Sequence, residues 1–183
     1  AKEGQLVKTE DETMKRIIYK GMHYCLSFLN FKPHFSEIYD KTYKISFTES
    51  CRYDIGQDQS DINKLFGISY GMHHYQSDRI GWRYKQTEDG LKCIEIMLYS
   101  YECGTRRSFT IGRFNIGDVL PIRLKTVVYK GYRRIFVFIG GISFSMMLEH
   151  DNKNWGYTLG NYFGGNRTAP HTIKIDISKV IVK

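Results

Sequence analysis

The chain has 183 residues, of which 42% are hydrophobic and 25% charged, and carries a net charge of +8 with a pI near 9.2. That length fits one domain with a sizeable core, and the basic balance favours anionic partners while leaving the fold open. Fourteen Tyr and 11 Phe against three Pro lean the composition towards β structure, because aromatic rings suit a pleated, half-buried surface.

The first twelve residues, "AKEGQLVKTEDE", are charged and poor in apolar side chains, and read as a loose arm. A helical turn is conceivable only near "EDETMKR". From "MKRIIYKGMHYCLSFLNFKP" the pattern becomes short apolar runs broken by Gly and Pro. "KTYKISFTES" alternates, with Tyr43, Ile45 and Phe47 on one face and Lys44, Ser46 and Thr48 on the other, as in a half-buried strand. "DIGQDQSDIN" is polar and reads as the most mobile internal loop.

"KLFGISYGMHHYQSDRIGWRYK" reads as two strands joined by a turn that contains His73 and His74. In the second strand Ile80, Trp82 and Tyr84 face one way, while Arg79, Arg83 and Lys85 face the other. "TEDG" is a hairpin signal of the Asp-Gly type. The strand after it puts Ile94, Ile96 and Leu98 on one face and Glu95, Met97, Tyr99 and Tyr101 on the opposite one. "RRSFTIGRFNIGD", "LPIRLKTVVYKG", "YRRIFVFIGG", "ISFSMMLEH", "GYTLGNYFGG" and "HTIKIDISKVIVK" complete the series. Ten or so short strands with regular turn residues predict an all-β fold, a two-sheet antiparallel sandwich of jelly-roll type in a single domain over 1–183. A closed barrel is the alternative.

The elements "DINKLFGIS", "HH", "RIGWRY", "IEIMLYSY" and "NYFGGNRTAPHTIKIDI", over residues 61–177, resemble a family of small bacterial and phage-borne proteins. The resemblance implies a concanavalin A-like jelly roll; it implies no activity. The wider concanavalin A-like group includes lectins, glycoside hydrolases and polysaccharide lyases, so sugar binding follows from it by analogy of fold alone.

The face carrying Arg79, Arg83, Glu95, Tyr99 and Tyr101 combines aromatic platforms with planar charged groups, the mixture a glycan site needs. Arginine suits carboxylate or sulfate because its fork makes two parallel hydrogen bonds. The same residues also describe a solvated sheet face held by cross-strand pairs. His73 and His74 would project to opposite faces of a regular strand and can converge only in a turn. With Tyr99 or Tyr101 and Arg79 or Arg83, either histidine would supply lyase chemistry on a sugar carboxylate. A retaining glycosidase needs a second carboxylate near Glu95, and Met97 stands there instead.

In "NYFGGNRTAPH" the glycines read as a corner, with Gly164 and Gly165 supplying positive φ and Asn166 capping the turn. Tyr162, Asn166 and His171 are the ligand candidates of that corner. "NRT" also fits an N-glycosylation acceptor, meaningful only in a secretory setting. Arg106, Arg107, Arg133 and Arg134 fall at apparent hairpin tips, where arginines are ordinarily solvated, so a nucleic-acid groove is not expected.

Cys25, Cys51, Cys93 and Cys103 show neither CxxC pairing nor His at metal-ligand spacing. No zinc site, metal or cofactor is therefore expected, and the thiols are expected to be free. No apolar run reaches the length of a membrane span. The sequence begins at Ala1 without Met, which leaves a removed leader and the compartment open, with a lean towards a secreted, cell-surface or virion setting. Three functions follow: a non-catalytic glycan-binding sandwich, a polysaccharide lyase acting on an acidic polymer, and a structural protein that contacts other subunits. The expected partners are anionic polysaccharide or protein subunits.

Overall fold

The structure is a computed structural model that describes residues 13–25 and 32–180. The loose arm expected at 1–12 lies outside the described residues. In chain order the strands are β1 (Met14–Ile18), β2 (Pro33–His34), β3 (Ile38–Phe47), β4 (Asn63–Ser69), β5 (Ser77–Gln86) and β6 (Lys92–Glu102). They continue as β7 (Thr105–Phe114), β8 (Val119–Tyr129), β9 (Tyr132–Ile139), β10 (Ile142–Glu149), β11 (Gly156–Leu159) and β12 (Ile173–Lys179). Met14–Ile18 is therefore strand, paired with β12, where a helical turn was conceivable.

Two six-stranded antiparallel sheets form, ordered β1-β12-β3-β8-β9-β10 and β2-β11-β4-β5-β6-β7. The protein is an all-β sandwich of the jelly-roll type. The alternation read from sequence sets the faces, since successive side chains on a strand point to opposite sides. Ile80 and Trp82 of β5 and Ile94, Ile96 and Leu98 of β6 are fully buried and meet Ile45, Phe47, Ile122, Leu124, Ile135 and Val137 of the other sheet in one core. Trp82 packs on Phe47 with ring centroids 5.1 Å apart.

Several local expectations change. The β5–β6 connection is a five-residue turn in which Thr87 N donates to Leu91 O and Gly90 N to Thr87 O. The polar segment expected to be mobile is a 3-10 turn over Gly56–Ser60. Gln59 pins it by accepting from Ile55 N and donating to the carbonyls of Tyr53 and Tyr84. At the corner, Gly165 has φ +75° but Gly164 does not. Gly164 is small for a different reason, because a Cβ there would lie 1.8 Å from the Ile62 carbonyl oxygen.

Arg133 overturns its assignment as a solvated loop tip. Its side chain is wholly buried and ion-paired with Asp78, Nε to Oδ2 at 2.9 Å. Its Nη1 donates to Glu149 O at 2.7 Å and its Nη2 to Tyr101 O. Thr126 Oγ1 donates to Asp78 at 3.4 Å. One guanidinium thus joins strands of both sheets and satisfies the carboxylate that β5 turns inward. Removing one partner would leave an uncompensated buried charge, which ordinarily costs about 3–5 kcal/mol. Asp78→Asn is expected to lose about that much stability in urea unfolding, and the double change Asp78→Leu with Arg133→Met much less; a loss under about 1 kcal/mol for the single variant would contradict the role assigned to the pair.

Candidate functional site

The outer face of the second sheet carries a cavity of about 330 Å³. β5 supplies Ser77 and Arg79, and β6 supplies Tyr101 and Tyr99, which are their direct cross-strand partners. The two neighbouring histidines sit in the β4–β5 turn, where both line the cavity with ring centroids 4.2 Å apart. β4 supplies Lys64 at a bulge between Lys64 and Phe66. The far wall is Thr158 to Tyr162, with Tyr24 across it.

That wall is held by backbone pairing. Lys64 N donates to Tyr162 O at 2.8 Å, Tyr162 N donates back to Lys64 O at 3.0 Å, and Phe163 N donates to His23 O at 2.7 Å. The Tyr162 ring stacks on His23 and meets Tyr24 edge-on. A second close approach shapes the floor: Gly67 lies opposite Arg79, and a Cβ at Gly67 would fall 2.7 Å from the Arg79 Cα. Glycine there lets the arginine stem lie against the strand.

The charges of this cavity are unbalanced. Arg79 is only 9% exposed and Lys64 only 8%. Among the described residues neither makes an ion pair with a carboxylate. Arg79 Nη2 donates to Gly160 O at 2.9 Å, but its buried Nε has no partner. The buried Asn161 Nδ2, on the cavity wall, has none either. Lys64 Nζ rests instead over the rings of Tyr99 at 4.6 Å and Tyr162 at 5.6 Å, a cation–π arrangement.

Burial lowers the pKa of Arg79 to about 10, still charged at neutral pH. Burial, and then repulsion from Arg79, bring Lys64 down to about 8. Burial pushes Tyr99 up to about 12, so its phenol stays a donor. His73 is lowered by burial and then by His74 and Arg79, and its Nδ1 shares a hydrogen bond with Tyr157 Oη at 2.7 Å. The cavity therefore presents donors and positive charge, and little that could repel an anion.

Of the residues chosen from sequence, the structure gathers Arg79, Tyr99, Tyr101, His73, His74 and Tyr162 around this cavity. Arg83 and Glu95 are not in its lining. They pair with each other, Arg83 Nη2 to Glu95 Oε2 at 2.5 Å, farther along the sheet, and Arg83 Nη1 donates to Ser60 O. Asn166 is exposed and outside the lining, because the chain turns away at Gly165. His171 is engaged with Ser50 O at 2.7 Å. Lys64, Tyr24, Asn161 and Ser77 were missed. The reading of "KLFGISYGMHHYQSDRIGWRYK" as two joined strands put Lys64 on the strand next to Arg79, but the bulge after Lys64 hid that it shares the outward face.

The four cysteines are unbridged, with Cys103 exposed and the Cys51 thiol pushed up to about 12 by burial. Among the described residues no three His, Cys, Asp or Glu side chains converge as metal ligands, and no helix is long and apolar enough to cross a membrane.

No family model matches the chain, and no curated protein matches it in sequence. Solved structures similar to it include a polysaccharide lyase of family 18, at 13% identity over 94% of this chain and 87% of that one, with a TM-score of 0.48. The alginate lyase from Klebsiella pneumoniae follows at 7% identity over 76% of this chain, TM-score 0.46; the match spans 56% of that enzyme. The carbohydrate-binding module CBM66 from Bacillus subtilis gives 9% identity over 80% of this chain and 76% of that one, TM-score 0.35. At such identities and scores the likeness says nothing about what this groove holds.

Lys64 gives a pH signature. Its folded pKa of about 8 lies below the ordinary 10.5, so between those values the unfolded chain binds the extra proton and stability rises with pH. Below pH 8 the full cost of the buried ammonium is present. Lys64→Met removes that cost, so its stability advantage over wild type is expected to be roughly 2 kcal/mol larger at pH 7 than at pH 10. An advantage that stays flat across that range in urea titrations would mean that Lys64 is not desolvated.

Proposed function

We propose that the cavity binds the acidic units of an anionic polysaccharide. The observation that carries this reading is the buried Arg79 guanidinium, which among the described residues has no carboxylate partner and an unused Nε, in a cavity whose lining also includes Asn161 with an unused amide donor. Burying a cation without a counter-charge is costly, and a ligand carboxylate answers that cost with the planar geometry an arginine fork matches. Lys64 adds a second positive charge. Tyr99, Tyr101 and Tyr162 offer flat apolar surface with a polar tip, which suits sugar rings bearing hydroxyls. The basic net charge of the chain brings such polymers to the surface.

Calorimetry with alginate, polygalacturonate and glucuronan, against heparin as a sulfated arm and dextran as a neutral one, tests the reading. A carboxylated polymer is expected to bind and dextran not to; binding of heparin alone would move the ligand to the sulfated class. Arg79→Met is expected to weaken binding about 10- to 100-fold, the range of a charged hydrogen-bonded contact. An anion beside Lys64 raises its pKa, so binding at pH 8–9 is expected to take up protons, seen as a dependence of the apparent enthalpy on buffer ionisation. Failure of every polymer to bind would overturn the reading.

A second reading is favoured by one further observation: His73 is held neutral beside the phenols and cations. In an acidic polymer, Arg79 and Lys64 would neutralise the sugar carboxylate and make the proton on the adjacent carbon more acidic. His73 would take that proton, the electron pair would form a carbon–carbon double bond, and the glycosidic C–O bond would break. Tyr99 or Tyr101 would give its proton to the departing oxygen. Such β-elimination creates unsaturated ends that absorb in the ultraviolet. A rise on any polymer of the panel, abolished in His73→Ala while binding persists, is the expected result for a lyase; a flat trace on the whole panel leaves binding alone.

A further inference from the structure

The outer face of the second sheet does not end at the cavity. Beyond Arg79 and Tyr99, the next outward rung is Gly81 opposite Met97, with Thr110 beside it on β7. The rung after that is Arg83 opposite Glu95, with Arg113 beside it. Glu95 is almost completely buried, and three cations converge on its carboxylate: Arg83 at 2.5 Å, Arg113 at 3.2 Å and Lys85 at 3.6 Å.

The three cations differ in how far they are committed. Arg83 is mostly covered and spends Nε and Nη2 on Glu95 and Nη1 on Ser60 O. Arg113 makes one Nε contact and its side chain is 50% exposed; Lys85 is 38% exposed. Three positive charges against one carboxylate leave an excess of two. Asp89, at the hairpin tip, feels the charge of Arg113 without an ion pair to it. On the rung between the two clusters Met97 is buried and Thr110 is exposed, while Lys64 pairs with Gly81 at its β4 end, so the positive charge of the first cavity extends one rung towards the second cluster.

We propose that Arg113 and Lys85, anchored by Glu95 and Arg83, form a second anion subsite for the same polymer. This rests on the reading of the first cavity as an acidic-polysaccharide site. Arg79 and Arg83 are four residues apart on one strand, about 13 Å. That exceeds one sugar ring, so a carboxylate at the second cluster belongs to a different unit of the chain held at the first. The polymer then runs along β5 and β6 rather than across them, and the protein selects for length. Glu95 holds the cluster in place and touches no ligand.

The experiment uses disaccharide and hexasaccharide fractions of alginate and of polygalacturonate, with the full chain. The hexasaccharide is expected to bind about tenfold more tightly than the disaccharide, and the double variant Arg113→Gln, Lys85→Gln to remove that advantage while leaving disaccharide binding unchanged. Arg113→Gln alone should remove part of it, and thermal melts check that both variants fold. If the double variant binds the hexasaccharide as wild type does, while Arg79→Met has lost both ligands, the subsite is wrong and the first reading stands. If wild type binds neither fraction, both readings fall together.

Discussion

The ion pair between Asp78 and Arg133 is the constraint on which the site rests. Asp78 lies between Ser77 and Arg79, so the one inward carboxylate at this end of β5 is flanked by two outward residues of the cavity. Its partner reaches across the sandwich and also takes up the carbonyls of Tyr101 and Glu149. Fixing Tyr101 by its backbone fixes where its ring and that of Tyr99 emerge, with centroids 5.8 Å apart. A hydrophobic pair of the same volume can hold two sheets as firmly, but it would leave the Tyr101 carbonyl without this donor. The pair therefore serves position as much as stability.

The buried charges of the sandwich divide into those that are paired and those that are not. Arg133 has a carboxylate and a full set of acceptors, and Glu95 has three cations around it. Arg79 and Lys64 are also buried, yet among the described residues neither makes an ion pair: Arg79 donates to a carbonyl, and Lys64 rests over two aromatic rings with Asp61 acting on it only at longer range. A fold that satisfies its buried charges two rungs away and leaves these unsatisfied departs from its own rule at one place. Such a departure is what the proposed anion site requires, since a local rule of the fold is broken where a ligand would restore it.

How far this was legible in the sequence depends on range. Period-two alternation placed Arg79, Tyr99 and Tyr101 on one face, and the hairpin between β5 and β6 made them neighbours because the intervening turn is short. The same logic placed Arg83 and Glu95 on that face too, and correctly made them cross-strand partners; alternation cannot say which rung opens into a cavity and which closes on itself. Arg133 was hidden because "KGYRR" looks like any basic hairpin tip, and only its inward parity opposite Asp78, on another sheet, sets it apart. Lys64 lies on the strand hairpinned to β5, but the bulge between Lys64 and Phe66 shifts the register that alternation would assign it. Tyr24 and Asn161 reach the cavity from segments that follow crossovers between the sheets, which leave no local signal.

The corner "NYFGGN" shows what residue type alone leaves undecided. Both glycines fit a turn, yet only Gly165 needs positive φ, while Gly164 is required because the Ile62 carbonyl lies against it. Gly164 N donates to Asn63 Oδ1 at 2.8 Å, and Asn63 in turn donates to the Tyr53 hydroxyl beneath. The strand residue next to Lys64 thus anchors the segment that carries Tyr162, so one buried asparagine helps to fix that ring against the lysine ammonium. The wall of the cavity is a loop by shape but is tied to the sheet as closely as a strand, which is how irregular chain can hold a charge and an aromatic ring in fixed relation.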